Sequence, residues 1–404
     1  EVKGKLTVKA ENGGRISYEG NSDCTMFSVN AAGELSLQGG EYSSLSSRDY
    51  VIDSFGGKIT VGEGAVINGY YGINARYDSY SGEESNVIIK GKVSAYYDRG
   101  VNVKKSKVTI EKGGTVESSG GNGITTGDNS QVDIYGEVKR TKSSVGNGIN
   151  ISGSNSVLNV YTDAKIESTA KGAAISLDNA QSAVHIMGGE ITGRSGIEVV
   201  NGTLNISGDS TGITGTDGEI NGTLGAGIVM NKTGKSNSIY AVIEDAEVTG
   251  ACAVYGEGIY NANDASNVYV ELKSGSFVSL AKTEVICSGQ NRQIKAAVNF
   301  PERRNMSLKL TGGKYSGDEE NAELCAEHYG KYVDVSSHQL KEVMEDGQTY
   351  YRVEKLAADI AEVNGVKYPS LREAIGAAGD GDTVTLLADI TECVTVNKKI
   401  ILYL

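Results

Sequence analysis

Gln131-Val-Asp-Ile-Tyr-Gly-Glu-Val-Lys-Arg-Thr-Lys-Ser-Ser-Val-Gly-Asn-Gly-Ile-Asn-Ile151 is one of five like units between Val108 and Met230. Each unit opens on an apolar pair two residues apart: Val108/Ile110, Val132/Ile134, Leu158/Val160, Val184/Ile186 and Leu204/Ile206. A lone branched residue follows: Val116, Val138, Ile166, Ile191 and Ile213. A small residue and an isoleucine close it: Gly123-Ile124, Gly148-Ile149, Ala174-Ile175, Gly196-Ile197 and Gly227-Ile228. The i, i+2 spacing puts both members of a pair on one face of a strand. The period is 2 and never 3.6, which specifies strand over helix. Gly, Asn, Asp and Ser fill the gaps, as turns require.

A repeat of about 20–30 residues whose units cannot bury their own apolar pairs is a solenoid. Three short strands per unit, stacked on the like strands of the next, make a parallel β-helix. The pattern extends upstream through Leu6/Val8, Leu35/Leu37, Ile59/Val61 and Val87/Ile89, with closing strands Phe27-Ser28-Val29, Gly72-Ile73 and Gly100-Val101. It extends downstream through Ala241/Ile243 with Gly258-Ile259, Val268/Val270 with Val285/Cys287, and Leu308/Leu310. Twelve coils are expected from Leu6 to Leu310.

Composition agrees. Proline occurs only twice in 404 residues, as suits a backbone whose N–H groups are needed in ladders. The net charge of −13 argues against a nucleic-acid or anionic membrane partner. No apolar run approaches a membrane span. The five cysteines, Cys24, Cys252, Cys287, Cys325 and Cys393, form no Cys-x-x-Cys and no zinc spacing. Cys287 reads as a small buried hydrophobe. No signal peptide is visible, and both ends fall inside strand patterns, as in a module of a longer chain.

Two coils are stretched. Leu204 to Ala241 spans 37 positions and Val268 to Leu308 spans 40, so both should throw out loops. Residues 288–305 are locally basic, with Arg292, Lys295, Arg303 and Arg304 against Glu302. Residues 1–315 are therefore expected as a β-helix and 316–356 as an α/β cap or inter-repeat module. In the latter, Glu319–His328 reads as a helix, Lys331–Val335 as a strand, and Asp346-Gly347 as the turn of a hairpin. Residues 357–404 read as the start of a second solenoid. There Asn364-Gly365 makes a hairpin turn, Ser370 and Glu373 form a capping box for a helix over 371–378, and Thr383–Leu387, Val394/Val396 and Ile400/Leu402 are strands.

Tyr368-x-Ser-Leu-x-Glu-Ala-Ile375 followed by Gly379-Asp-Gly-Asp-Thr-Val-Thr-Leu386 resembles the amino-terminal cap of pectin-lyase-like right-handed parallel β-helices. The segment from Gly312-Gly-Lys-Tyr315 to Tyr351-Arg-Val353 resembles inter-repeat modules of large tandem-repeat surface proteins of Gram-positive, often gut-dwelling, bacteria. The resemblance covers residues 312–404. It implies the fold, secretion and surface display, and it implies no activity, because this fold carries both enzymes and adhesins.

The enzymes of that fold supply tests. The polygalacturonase type carries Asn-Thr-Asp, Asp-Asp and Gly-His-Gly motifs, and none of these occurs here. The pectate-lyase type needs gathered aspartates for calcium and an Arg-x-Pro-x-x-Arg segment. The nearest stretch, Asn299-Phe-Pro-Glu-Arg-Arg304, lacks the first arginine and has the wrong spacing. Two outward rows alternate in sign instead: Glu137, Lys165, Glu190 and Glu117, Lys139, Glu167. Such rows neutralise themselves, whereas calcium wants stacked carboxylates. His185 reads as outward on a strand, and His328 and His338 lack a nucleophile beside them. The expectation is a non-enzymatic, extracellular adhesin or ligand-binding module without cofactor or metal, monomeric, and without membrane insertion. The alternatives are a polysaccharide lyase or glycoside hydrolase, and a purely structural stalk.

A binding face is expected on the closing strands. Their outward row runs Asn74, Asn102, Thr125, Asn150, Ser176, Glu198. Tyr70 and Tyr71 precede Ile73, and Tyr96 and Tyr97 precede Val101, so four phenols share one corner. Tyr77, Tyr80, Asp98 and Arg99 are near in sequence. Flat apolar rings with polar tips suit a glycan or a host surface protein. The alternative for the row is an amide and hydroxyl ladder that satisfies itself. The 208–225 and 288–305 loops are the next candidates.

Overall fold

The computed structural model describes residues 1–404 except 11–12, 21–23, 45, 47–48, 143–144, 222, 232–236, 258–266, 301–305 and 357. The chain forms two compact units, Glu1–Asp334 with Leu340–Val353, and Val335–Gln339 with Glu354–Leu404.

The first unit is a parallel β-solenoid of about ten turns. Its first face stacks Val108, Val132, Leu158, Val184 and Leu204 in register. The second face stacks Val116, Val138, Ile166 and Ile191. The closing face stacks Ile124, Ile149, Ile175, Ile197 and Ile228. All these side chains are buried. Each contributes roughly 1.5–3 kcal/mol of transfer free energy, realised only because a neighbouring rung covers it.

The small residue before each isoleucine is a matter of packing, not of backbone dihedral. A Cβ on Gly123 would stand 2.5 Å from the Gly148 carbonyl oxygen and 2.8 Å from Val138 Cγ1. The closing strand thus runs tight against both the next rung and the second face.

Ten turns replace the expected twelve because the end coils are incomplete. All twelve apolar pairs do lie in one ladder, from Leu6 beside Leu35 to Leu308 beside Val270. In the first coil Leu6 is 38% and Ile16 45% exposed, so these two are not core. In the last, the chain leaves the solenoid after the strand Lys314–Ser316 and supplies no closing strand.

Two closing strands differ from expectation. Gly258-Ile259 lies outside the described residues, and Ala253-Val254 in the strand Cys252–Glu257 takes that rung. Val285 and Cys287 are buried as expected but do not stack on the coils. They sit in an antiparallel hairpin, Thr283–Cys287 with Gln290–Ile294. Ser288 and Gly289, with φ of 48° and 73°, form its two-residue turn. Val298–Asn299 supplies the closing rung against Val254 and Tyr255. Alternating burial looks the same in a stacked strand and a folded-back one, so the pattern around Val285 did not choose between them.

Helix α1 (Ala322–Gly330) follows a 3-10 turn capped by Asp318. Its Tyr329 is buried, donates to the Ser316 carbonyl at 2.6 Å, accepts from the Ala297 N–H at 2.7 Å, and touches the rings of Tyr315 and Tyr351. Residues 331–335 turn and form no strand; the strand begins at His338. Asp346 and Gly347 adopt the positive φ expected of a turn.

The second unit is a small four-stranded sheet with helix α2 (Leu371–Ala377). Asn364-Gly365 turns between paired Val363 and Val366. Ser370 Oγ accepts from the Glu373 N–H at 3.1 Å, the capping bond read from the sequence. Ala361, Leu371, Ile375 and Val384 form its core. Thr383–Leu386 and Ile401–Tyr403 pair in parallel, while Val394 and Val396 lie outside any strand. No helix among the described residues is long and apolar enough to cross a membrane.

Candidate functional site

The solenoid brings together the tyrosines that precede the second and third regular closing strands. Tyr70 stacks on Tyr97 with ring centroids 3.9 Å apart and meets Tyr96 edge-on at 5.5 Å. Tyr71 lies 5.3 Å from Tyr70 and 5.0 Å from Tyr50. Tyr50 is the fifth ring, brought in because it pairs in register with Tyr71 one coil away. Its place at the head of a strand whose coil lacks the small-residue–isoleucine closure hid it in the sequence. Burial raises the Tyr50 hydroxyl to about 12, and burial with the neighbouring Tyr97 does the same for Tyr70. These phenols are neutral donors at physiological pH. Tyr97 is 57% exposed and Tyr96 also opens to solvent. Asp98 and Arg99 pair beside them at 3.4 Å.

Tyr77 and Tyr80 are not in this cluster. They follow the strand Tyr71–Arg76 at its far end. The Lys105 ammonium lies 3.4 Å from the Tyr77 ring centroid, and Tyr80 is 99% exposed in a turn held by Asp78.

The outward row is in register as expected, from Asp53 through Asn74, Asn102, Thr125, Asn150 and Ser176 to Glu198. Its members bond to the chain itself. Asn102 donates to Asn74 at 2.8 Å, and Asn74 donates to Asp53 at 2.9 Å. Arg76 donates to both Asp53 oxygens, and Arg99 donates to Asn102 at 3.3 Å. Further up, Asn122 donates to Thr125, Asn147 to Asn150 and Asn231 to Glu198. The row is a self-satisfying ladder, so the amides of Asn74 and Asn102 carry fewer free groups than their exposed types suggest. What the corner offers a ligand is chiefly aromatic.

The charged rows behave as read. Lys139 bonds Glu137 at 2.7 Å, and Lys165 lies 3.5 Å from Glu167 and 3.9 Å from Glu190. His185 stands in register with Asn159 and Asn205 and meets the Asn205 amide at 3.3 Å. Asp133 of the same row is buried, which alone would raise its pKa. Bonds from Asn159, Lys107 and Gln131 outweigh that and hold the carboxyl below its usual range. Among the described residues no group of three His, Cys, Asp or Glu is placed to hold a metal ion. The five cysteines are unpaired.

The two stretched coils meet. The 218–220 segment, the hairpin Thr283–Ile294 and the residues around α1 line a half-open cleft of about 1460 Å³. Tyr255 and Asn299, adjacent outward residues of the closing face, form part of its floor. Phe300, Met306, Leu308 and Tyr332 continue it. His328 lines it and is 2% exposed. Its Nε2 lies 2.7 Å from the Val298 carbonyl, which can only accept, so that nitrogen carries the proton. Burial lowers its pKa to about 4, and the ring is neutral. Of the expected basic loop, Arg292 lies exposed on the hairpin and donates to Gln290, and Lys295 follows its last strand. Arg303 and Arg304 lie outside the described residues.

Comparison with known proteins returned no match to a family model, a curated protein or a solved structure.

Proposed function

We propose that this chain is a non-enzymatic glycan-binding β-solenoid, an adhesin-like module displayed outside a bacterial cell. The observation that carries this reading is the corner where Tyr50, Tyr70, Tyr71, Tyr96 and Tyr97 converge with Tyr96 and Tyr97 open to solvent. A packed ring set presents flat apolar faces at little entropic cost, and the C–H face of a sugar ring stacks on such faces. The phenol hydroxyls and the Asp98–Arg99 pair supply hydrogen bonds at the rim. The charge rows of the second face support the non-enzymatic half, because their carboxylates are already paired with lysines. The cap-like Tyr368–Leu386 segment supports the finer assignment to right-handed, pectin-lyase-like helices of Gram-positive surface proteins, and with it secretion.

A glycan array with the parent chain and with Tyr96→Ala/Tyr97→Ala tests the reading. Both residues are partly exposed, so the double variant keeps the core. Binding by the parent and at least tenfold weaker binding by the variant is the expected result. Equal binding by both, or none by the parent, overturns the site. Calcium-dependent growth of unsaturated-product absorbance on acidic polysaccharides overturns the non-enzymatic half.

A further inference from the structure

The cleft between the two stretched coils differs in chemistry from the tyrosine corner. Its floor holds inward-facing residues of the last rung. Met306 and Leu308 are in register with Val268 and Val270, which are fully buried, yet both are only half-buried. Among the described residues no further parallel strand pairs with theirs, and the cleft reaches them. Phe300, Tyr255 and Tyr332 extend this apolar floor, and Ile286 of the hairpin faces it as a wall.

The charged residues of the lining are Lys282, Lys331, Glu219 and Glu284. Lys282 lies 3.1 Å from Glu320 and 3.6 Å from Asp318. Lys331 donates to the Ile286 carbonyl. Glu284 accepts from Asn291 at 3.1 Å. Glu219 is exposed at the rim, where water and salt screen it. The two lysines and two glutamates of the lining sum to zero, so the cleft favours neither a net anion nor a net cation. The exposed Gln293 amide and the Oδ1 of Asn291, whose Nδ2 is held by Glu284, offer hydrogen bonds to polar substituents. The volume of about 1460 Å³ exceeds the roughly 300–1,000 Å³ of ordinary small-molecule pockets, so size is no obstacle.

We propose that this cleft binds an uncharged amphipathic small molecule, one with an apolar ring body and hydrogen-bonding substituents. The apolar body lies on Met306, Leu308 and Phe300, completing the burial that the missing rung leaves undone, and the polar substituents face Asn291 and Gln293. The site is separate from the tyrosine corner and stands or falls without it.

Titration of the full chain with Nile red, an uncharged ring dye, tests the proposal. One saturable site with blue-shifted emission is expected. Ile286→Glu puts a carboxylate on the cleft wall from the hairpin, outside the solenoid ladder, and should weaken the dye at least tenfold. Gln293→Trp, which fills the mouth from an exposed position, should weaken it too and serves if Ile286→Glu does not fold. Leu6→Lys/Ile16→Lys, at the other exposed apolar end, and Tyr96→Ala/Tyr97→Ala should leave it unchanged. Absence of saturable binding, indifference to the cleft variants, or loss in either control overturns the site. Tighter binding of the anion 8-anilinonaphthalene-1-sulfonate at the same site overturns the uncharged class.

Discussion

From Val108 to Ile206 the solenoid keeps its period; from Ile239 to Leu310 it does not. In the regular stretch the inward residues are buried without exception along three faces, and the outward polar residues bond their neighbours one rung away. In the stretched coils the chain leaves the ladder, folds a hairpin on itself and lines a half-open cleft. In a parallel stack each side chain meets the equivalent side chain of the next coil, so a kept period pairs like with like. Where extra residues enter, that pairing is lost for the insertion, which must satisfy its own backbone and leaves gaps between itself and the rod. Regularity therefore consumes polar side chains, and irregularity creates concave space.

The largest test of the contrast is a buried charge at equivalent inward positions. Ile149→Asp in the regular body should cost about 4 kcal/mol or more, because an unpaired carboxyl enters an apolar core. Leu308→Asp, on the half-buried last rung, should cost less than half as much. Urea unfolding of the two variants measures the difference. Equal costs would mean that the last rung is as closed as the body.

His328 gives the next effect. Its folded pKa of about 4 lies below the ordinary 6.5, so the unfolded chain takes up a proton first as pH falls. Stability from the neutral ring is complete above about pH 6.5 and declines as pH drops toward 4, by up to roughly 3 kcal/mol. Unfolding free energies of the parent and His328→Gln at pH 7.5 and 4.5 isolate this contribution. A parent-minus-variant difference that does not change with pH refutes a neutral buried imidazole beside the cleft.

The smallest effect belongs to the regular surface. Lys139→Glu sets a fourth carboxylate among Glu117, Glu137 and Glu167. Exposed pairs of this kind contribute about 1 kcal/mol or less. A melting temperature lowered by a few degrees in low salt, and restored near 1 M salt, is the expected pattern. A shift that salt does not relieve would point to packing and not to charge.

Much of this was legible in the residues. The rows headed by Val108, Val116 and Ile124 followed from the i, i+2 spacing, and the Asp346-Gly347 and Asn364-Gly365 turns from residues that accept positive φ. The gathering of Tyr70, Tyr71, Tyr96 and Tyr97 followed from their places just before successive closing strands. Two things escaped. Tyr50 joined through a register that an irregular coil concealed. Val285 and Cys287 alternate identically in a stacked strand and in the hairpin they form, and the Ser288-Gly289 turn settles the matter. For Asn74 and Asn102 the residues allowed either a self-satisfying ladder or a ligand contact, and the rung-to-rung bonds to Asp53 and between the two amides make the ladder.

The sequence alone determined the solenoid, its inward rows and the two places where the period breaks, because periodic burial is a local property written along each strand. The tertiary structure decided which polar groups remain free and where space remains. Those depend on contacts between residues about 20–40 positions apart, and only the closed stack brings such residues within hydrogen-bonding distance.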